Sequence, residues 1–144
     1  MRVQIALDTM GVEKMLQAAP KEMSAGLQDL VEKVGRRIER QAKYEMRANV
    51  AGPNEARSRT GNLARQIRFV EGSQRNASRI GVVKANADYS GFVHGEPYYS
   101  PRMTKSGRMR KTNPFFTKAE NNTERARQRD AEDMLREVAR KLVQ

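Results

Sequence analysis

Between Lys21 and about Ala48, Leu27, Leu30, Val31, Val34 and Ile38 recur at steps of three and four, and Ala42 continues the row. That spacing stacks them on one side of an α-helix. The other side is charged, with Glu32, Lys33, Arg36, Arg37, Glu39, Arg40 and Lys43. Glu32–Arg36 and Glu39–Lys43 are i,i+4 pairs in the favourable order, each worth roughly 0.3 kcal/mol on a solvated surface. The heptads are not sustained, so the apolar row predicts packing inside the fold rather than a coiled coil. The rest of the chain has to supply its cover.

Two kinds of segment offer themselves. Val3, Ile5 and Leu7 alternate with polar neighbours over residues 2–8, the pattern of a half-buried strand. Thr9-Met10-Gly11 ends it, Val12 to Ala19 has room for two helical turns, and Pro20 forces a stop or a new start. After the long helix, Asn49 to Arg59 contains Gly52-Pro53-Asn54 and predicts an exposed loop. At Arg59-Thr60-Gly61-Asn62-Leu63 the periodicity changes: Thr60 can cap a short helical turn, Gly61 relieves its backbone, and Leu63 anchors it in a core. Ile67 and Phe69 then alternate with Arg68 and Val70, and Arg79 to Lys84 makes a second strand. The polar connection 71–78 between them predicts an antiparallel hairpin with Arg75 and Arg79 at its exposed tip.

Ala85 to Gly95 can form a short helix that buries Tyr89, Phe92 and Val93. Residues 96–113 have no periodicity. They contain Pro97, Pro101, Tyr98 and Tyr99, and their cations Arg102, Lys105, Arg108, Arg110 and Lys111 meet no acid after Glu96. An irregular stretch of this length inside one domain is usually functional. Asn113 is a candidate N-cap and Pro114 a first-turn proline, which sends Phe115 and Phe116 into the core. A final helix is expected from about Thr123 to Leu142, with Ala131, Met134, Leu135, Val138 and Leu142 as its apolar row. The expected fold is α+β in a single domain over residues 1–144. A small antiparallel sheet, made of the N-terminal strand plus the hairpin, packs against a long helix and a C-terminal helix.

The chain has no cysteine and one histidine, His94. Disulfides, thiolate metal sites and cysteine nucleophiles are therefore excluded. No nucleophile elbow, phosphate-binding loop or dinucleotide fingerprint occurs, and the four acids of residues 51–116 are too scattered for a metal-dependent nuclease. No catalytic, cofactor-binding or metal-binding residue is assigned. No run lacking Asp, Glu, Lys and Arg exceeds seven residues, against the roughly 20 needed to span a bilayer, and the first residues lack a secretory layout. A soluble protein made in the cytoplasm is expected. The net charge of +11 is concentrated: residues 51–116 hold twelve basic against four acidic side chains, while both flanks are nearly balanced. A source of that kind favours an anionic partner, either nucleic acid or an acidic protein surface.

Three stretches in order carry a resemblance: Arg59-Thr60-Gly61-Asn62-Leu63, then Tyr89-x-x-Phe92-Val93-His94-Gly95, then Asn113-Pro114-Phe115-Phe116-x-x-Ala119. Together they resemble the tail-component proteins of long-tailed bacteriophages, the tail-completion, neck or head–tail joining proteins. The likeness runs from about residue 20 onward. It departs from the family's pattern at His94, where Glu is more usual, and at residues 96–113, which are longer and more basic. The resemblance implies a structural virion protein at the head-proximal end of the tail, assembled in the host cytoplasm as a homo-oligomeric ring. Its partners would be the tail-tube or tail-terminator protein and the head-completion or connector protein, with non-specific contact to DNA in the channel. No enzyme activity, cofactor or membrane is implied. Arg75, Arg79, Tyr98, Tyr99, Arg102, Lys105, Arg108, Arg110 and Lys111 are then the expected subunit or channel contacts. The alternative is a sequence-independent nucleic-acid-binding protein acting through its basic middle region.

Overall fold

The computed structural model describes residues 3–8, 20–47, 50, 61–71, 80–87, 93–94 and 112–143. In chain order its elements are strand β1 (Val3–Asp8), helix α1 (Pro20–Glu45), helix α2 (Asn62–Gln66), strands β2 (Ile67–Glu71) and β3 (Ile80–Ala85), and helix α3 (Phe115–Val143). The three strands form one antiparallel sheet in the order β1-β3-β2. The α+β arrangement is the one expected. Residues 9–19, 51–60 and 72–79, which hold the predicted short helix, loop and hairpin tip, lie outside the described residues.

Helix α1 packs against both other helices and against strands β2 and β3. Pro20 opens it, where its missing N–H removes no helical bond. Leu27, Leu30, Val31, Val34, Ile38 and Ala42 are all buried, as the periodicity predicts, and Met23 and Met46 lengthen the row at both ends. The sheet covers one flank of that row and α3 the other, while α3 and the sheet meet each other only marginally.

Against the sheet, the fit is one of shape. Ile67, Val83 and Ala85 are fully buried. In register, Val3, Ile5 and Leu7 stand opposite Ala85, Val83 and Gly81, the buried row of β3. The Phe69 ring occupies a notch between two glycines. A β-carbon on Gly35 of α1 would lie 2.2 Å from Phe69 Cδ2, and one on Gly81 of β3 would lie 2.4 Å from Phe69 Cε2. No side chain larger than hydrogen fits at either position unless the ring moves. Glu39 of α1 reaches the outer edge of β2 and accepts the Phe69 N–H at 2.8 Å. Gln28 donates to Glu71 at 3.0 Å on the same strand. An otherwise open strand edge is thereby partly blocked.

Against α3, the centre of the interface is ionic. Helix α3 runs antiparallel to α1, as Glu45–Asn122 and Arg37–Asp130 contacts show, with Gly26 lying against Met134 and Val138. Asp130 is 7% exposed and accepts a fork from Arg37, Nε at 3.0 Å and Nη2 at 2.8 Å, as well as Lys33 Nζ at 2.9 Å. Lys33, Arg37 and Glu39 were expected on a solvated face. Lys33 is exposed as expected while its amine reaches Asp130, but Arg37 and Glu39 are half-buried, Arg37 holding the neighbouring helix and Glu39 the sheet.

Several local expectations are corrected. The N-cap position of α2 belongs to Gly61, not Thr60: Gly61 is left-handed at φ 70° and its carbonyl accepts the Arg65 N–H at 3.0 Å, with no side-chain cap. A left-handed residue there favours glycine. No helix starts at Ala85, because Ala85 is still in the central strand, paired with both Val3 and Ile67. Asn86 and Ala87 are also non-helical, whereas Val93 and His94 are helical. The C-terminal region is one helix of 29 residues from Phe115, not a short element followed by a helix from Thr123. Its buried side runs through Phe115, Phe116, Ala119, Thr123, Asp130, Met134 and Val138. Two polar residues on that side hid it: Thr123 returns its hydroxyl to the Ala119 carbonyl at 2.7 Å, and Asp130 is neutralised as above. Leu135, expected in the core, is 39% exposed, because the buried line passes through Met134 and Val138 beside it.

Candidate functional site

The described parts of the three sequence stretches come together near the C-terminal end of α1. Leu63 is 1% exposed and belongs to the same apolar cluster as Phe115, Phe116 and Ala119, with Val93 packed against it. Asn113 N–H donates to the Val93 carbonyl at 2.6 Å, which ties the second stretch to the third. The His94 ring stands edge-on to Phe115 at 5.2 Å and tilted to Phe116 at 5.8 Å. The two phenylalanines are 4.7 Å apart, so the three rings form one stack of contacts.

A polar clamp fastens this joint to α1. Asn113, fully buried, was expected to be the N-cap of a short element beginning at Pro114. The first helical bond instead runs from Lys118 N–H to the Pro114 carbonyl at 2.9 Å, one residue later. The Asn113 amide donates to the Glu45 carbonyl at 3.0 Å, taking one of the acceptors left open at the end of α1. The Glu45 carboxylate is itself buried and receives Gln41 Nε2 and Asn122 Nδ2, each at 2.7 Å. On α2, Gln66 Nε2 donates to Asn62 Oδ1 at 3.2 Å, and the Gln66 carbonyl accepts the Asn86 N–H at 3.3 Å. The motif residues are therefore a joint: the turn with Gly61, Asn62 and Leu63, the His94 helix and the Pro114-Phe115-Phe116 helix start all meet the end of α1.

Little at this joint points to chemistry. His94 Nε2 is buried and has no hydrogen-bond partner among the described residues. Burial holds the imidazole below its ordinary pKa, so it is neutral near pH 7. A general base needs its ring nitrogen within hydrogen-bond reach of a substrate proton, and this nitrogen is buried. Among the described residues, no group of three His, Asp or Glu side chains could hold a metal ion, and no helix is long and apolar enough to cross a membrane. The clearest surface depression is an open groove on the outer side of α1, lined by Asp29, Glu32, Lys33, Arg36, Glu39 and Arg40. Acids and cations are mixed along its length.

The residues expected to meet partners, Arg75, Arg79, Tyr98, Tyr99, Arg102, Lys105, Arg108, Arg110 and Lys111, lie outside the described residues, as do Arg59, Thr60, Tyr89, Phe92 and Gly95. What sequence reasoning missed is the set of polar residues that fasten α3 to α1: Glu45, Asn122 and Asp130. One signal was available for Asp130. Lys33 and Arg37 stand four apart at the rim of the α1 stripe, and Asp130 stands four before Met134, so two cations and one acid face each other at matched helical spacing. No family model matches this chain, and neither does any curated protein or solved structure.

Proposed function

We propose that the chain is a structural virion protein of a long-tailed bacteriophage, completing the head-proximal end of the tail and helping join tail to head. The observation that carries this reading is the ordered set of three stretches, Arg59–Leu63, Tyr89–Gly95 and Asn113–Ala119. It is supported by where their described members lie: none is on an exposed catalytic surface, and Leu63, Phe115 and Phe116 are all within 2% of full burial. These residues build a packed joint, which suits a part whose task is to hold a shape while its loops meet neighbours. On this reading the protein works as a ring around the DNA channel. Subunits in a ring meet through two different, complementary surfaces. The basic segment 96–113 and the hairpin tip 71–78 supply the contacts to neighbouring subunits, to the tail-tube or terminator protein and to the connector.

The test is to delete the gene from the phage that carries it and count particles by electron microscopy. Filled heads and separate tails, with joining restored by the wild-type protein in trans, are expected. Joined virions in normal proportion would refute the role. A finer arm reverses Arg108, Arg110 and Lys111 to Glu, which should lower the count of joined particles if the segment 96–113 makes the contacts.

A further inference from the structure

Helix α1 sorts its charges along its length. In its first half, exposed acids and bases are mixed: Glu22, Asp29, Glu32 and Lys33 all reach solvent. From Arg36 onward the fully exposed charges are cationic. Of the two acids in this half, Glu45 is buried at 6%, and Glu39, at 16% side-chain exposure, lines the outer groove between Arg36 and Arg40. Glu39 is engaged by Lys43 and the Phe69 amide, and Glu45 by Gln41 and Asn122. The exposed residues left are Arg36, Arg40, Tyr44 and Arg47. Arg36, Arg40 and Tyr44 follow one another at steps of four, a ridge of about 12 Å along one side of the helix. Arg47 folds back so that its guanidinium lies 5.5 Å from the centre of the Tyr44 ring, which is 44% exposed. Arg40 and Arg47 make no salt bridge among the described residues, and Arg36 makes only the surface pair with Glu32 at 2.9 Å.

The geometry points to this ridge as a contact surface for the phosphate backbone of nucleic acid. Cations in the last helical turn are ordinarily explained by the helix dipole, which fades within one turn. Arg36 and Arg40 lie before that turn, so the dipole does not account for them. A linear row of guanidiniums fits a linear row of phosphates, to which arginine offers paired donors. The tyrosine, held by Arg47, adds an aromatic face of the kind that contacts sugars and bases without reading sequence. The acids nearest the ridge are engaged: Glu32 by Arg36, and Glu39 by Lys43 and the Phe69 amide. The ridge is made of α1 residues and Arg47 just beyond its end, and does not depend on the chain's place in a particle.

The test uses purified full-length protein and a 30-base-pair duplex of arbitrary sequence, read by fluorescence anisotropy across a salt series. Each phosphate neutralised contributes about 0.9 to the slope of log K against log salt. The variant Arg36→Gln/Arg40→Gln/Arg47→Gln is expected to bind roughly tenfold or more weakly at low salt and to lose about 2 to 3 from the slope. Arg36→Lys/Arg40→Lys/Arg47→Lys should keep most of the slope. A control of equal charge change, Arg125→Gln/Arg129→Gln/Arg136→Gln on the exposed side of α3, should alter the slope by less than about 1. Circular dichroism confirms that each variant is folded. Equal losses in the α1 and α3 variants, an unchanged α1 variant, or a wild-type protein that binds an acidic polypeptide but no duplex would each overturn the assignment.

Discussion

The two interfaces of α1 are built on different physics. Towards the sheet, the fit is chiefly steric: one ring between two glycines, bounded by fully buried aliphatic side chains, with Glu39 accepting the Phe69 amide at its edge. Towards α3, apolar contacts at Gly26, Met134 and Val138 share the surface with an acid held by two cations. A steric interface tolerates changes of pH and salt but no added volume. An ionic one tolerates small changes of shape but depends on every partner keeping its charge. The same helix therefore has one flank that fails by crowding and another that fails by titration.

The largest effect should come from adding volume to the steric side. Gly35→Val and Gly81→Val each drive a branched side chain into the Phe69 ring and should cost about 3 kcal/mol or more, read as a fall of roughly 10 °C in melting temperature. The comparison sharpens if the ring is removed first. In a Phe69→Ala background, Gly35→Ala should cost at least 1 kcal/mol less than in the wild type, a coupling that a double-mutant cycle measures. Additive costs would show that the ring is not what fills the notch.

Next comes the ionic side. Asp130→Ala should destabilise by about 2 kcal/mol, less than for a fully buried pair because Lys33 and Arg37 can still reach water. Its pH dependence has a definite sign. Burial disfavours the Asp130 charge, but hydrogen bonds from Lys33 and Arg37 outweigh it and hold the carboxyl below its ordinary pKa. The unfolded chain then takes up its proton first as pH falls. The stability from this group is complete above about pH 4 and is lost below it. Asp130→Asn should shrink that limb in urea titrations and leave the share of Glu39, whose charge burial disfavours but Lys43 and the Phe69 amide favour more strongly, while the Gly35 and Gly81 variants should keep the Asp130 share. His94 acts at higher pH. Burial lowers its pKa, so stability falls as pH drops below about 6.5. His94→Phe should abolish this upper limb and leave the lower one.

The smallest effect is expected on the exposed ridge. Arg36→Gln breaks only a surface pair and should leave the melting temperature essentially unchanged. A clear fall would mean that the ridge supports the fold, which would weaken its assignment to a partner.

How much of this was legible in the sequence differs between the two flanks. The buried row of α1 and the alternation of Ile67 and Phe69 follow from periodicity, which depends only on each residue's own neighbours. The Phe69 notch does not, because Gly35 and Gly81 are ordinary glycines until a fold brings both to one ring. The single helix from Phe115 was obscured because Thr123 and Asp130 interrupt its apolar row, and each is satisfied by a partner that local patterning cannot reveal. At the candidate site, Leu63, Phe115 and Phe116 announced themselves as anchors. The clamp of Asn113, Glu45 and Asn122 did not, since asparagine before proline looks like a cap and a glutamate at the end of a charged helix looks like surface. Charge sorting on α1 was hidden for the same reason: sequence places Glu39 among the arginines, and only packing turns it inward.

The most direct test of the assembly role is quantitative mass spectrometry of purified infectious particles, with the tail-tube protein as internal standard. The account predicts this chain at a fixed, small, ring-like copy number per virion that survives nuclease treatment and salt washing. Its absence from infectious particles would contradict the account.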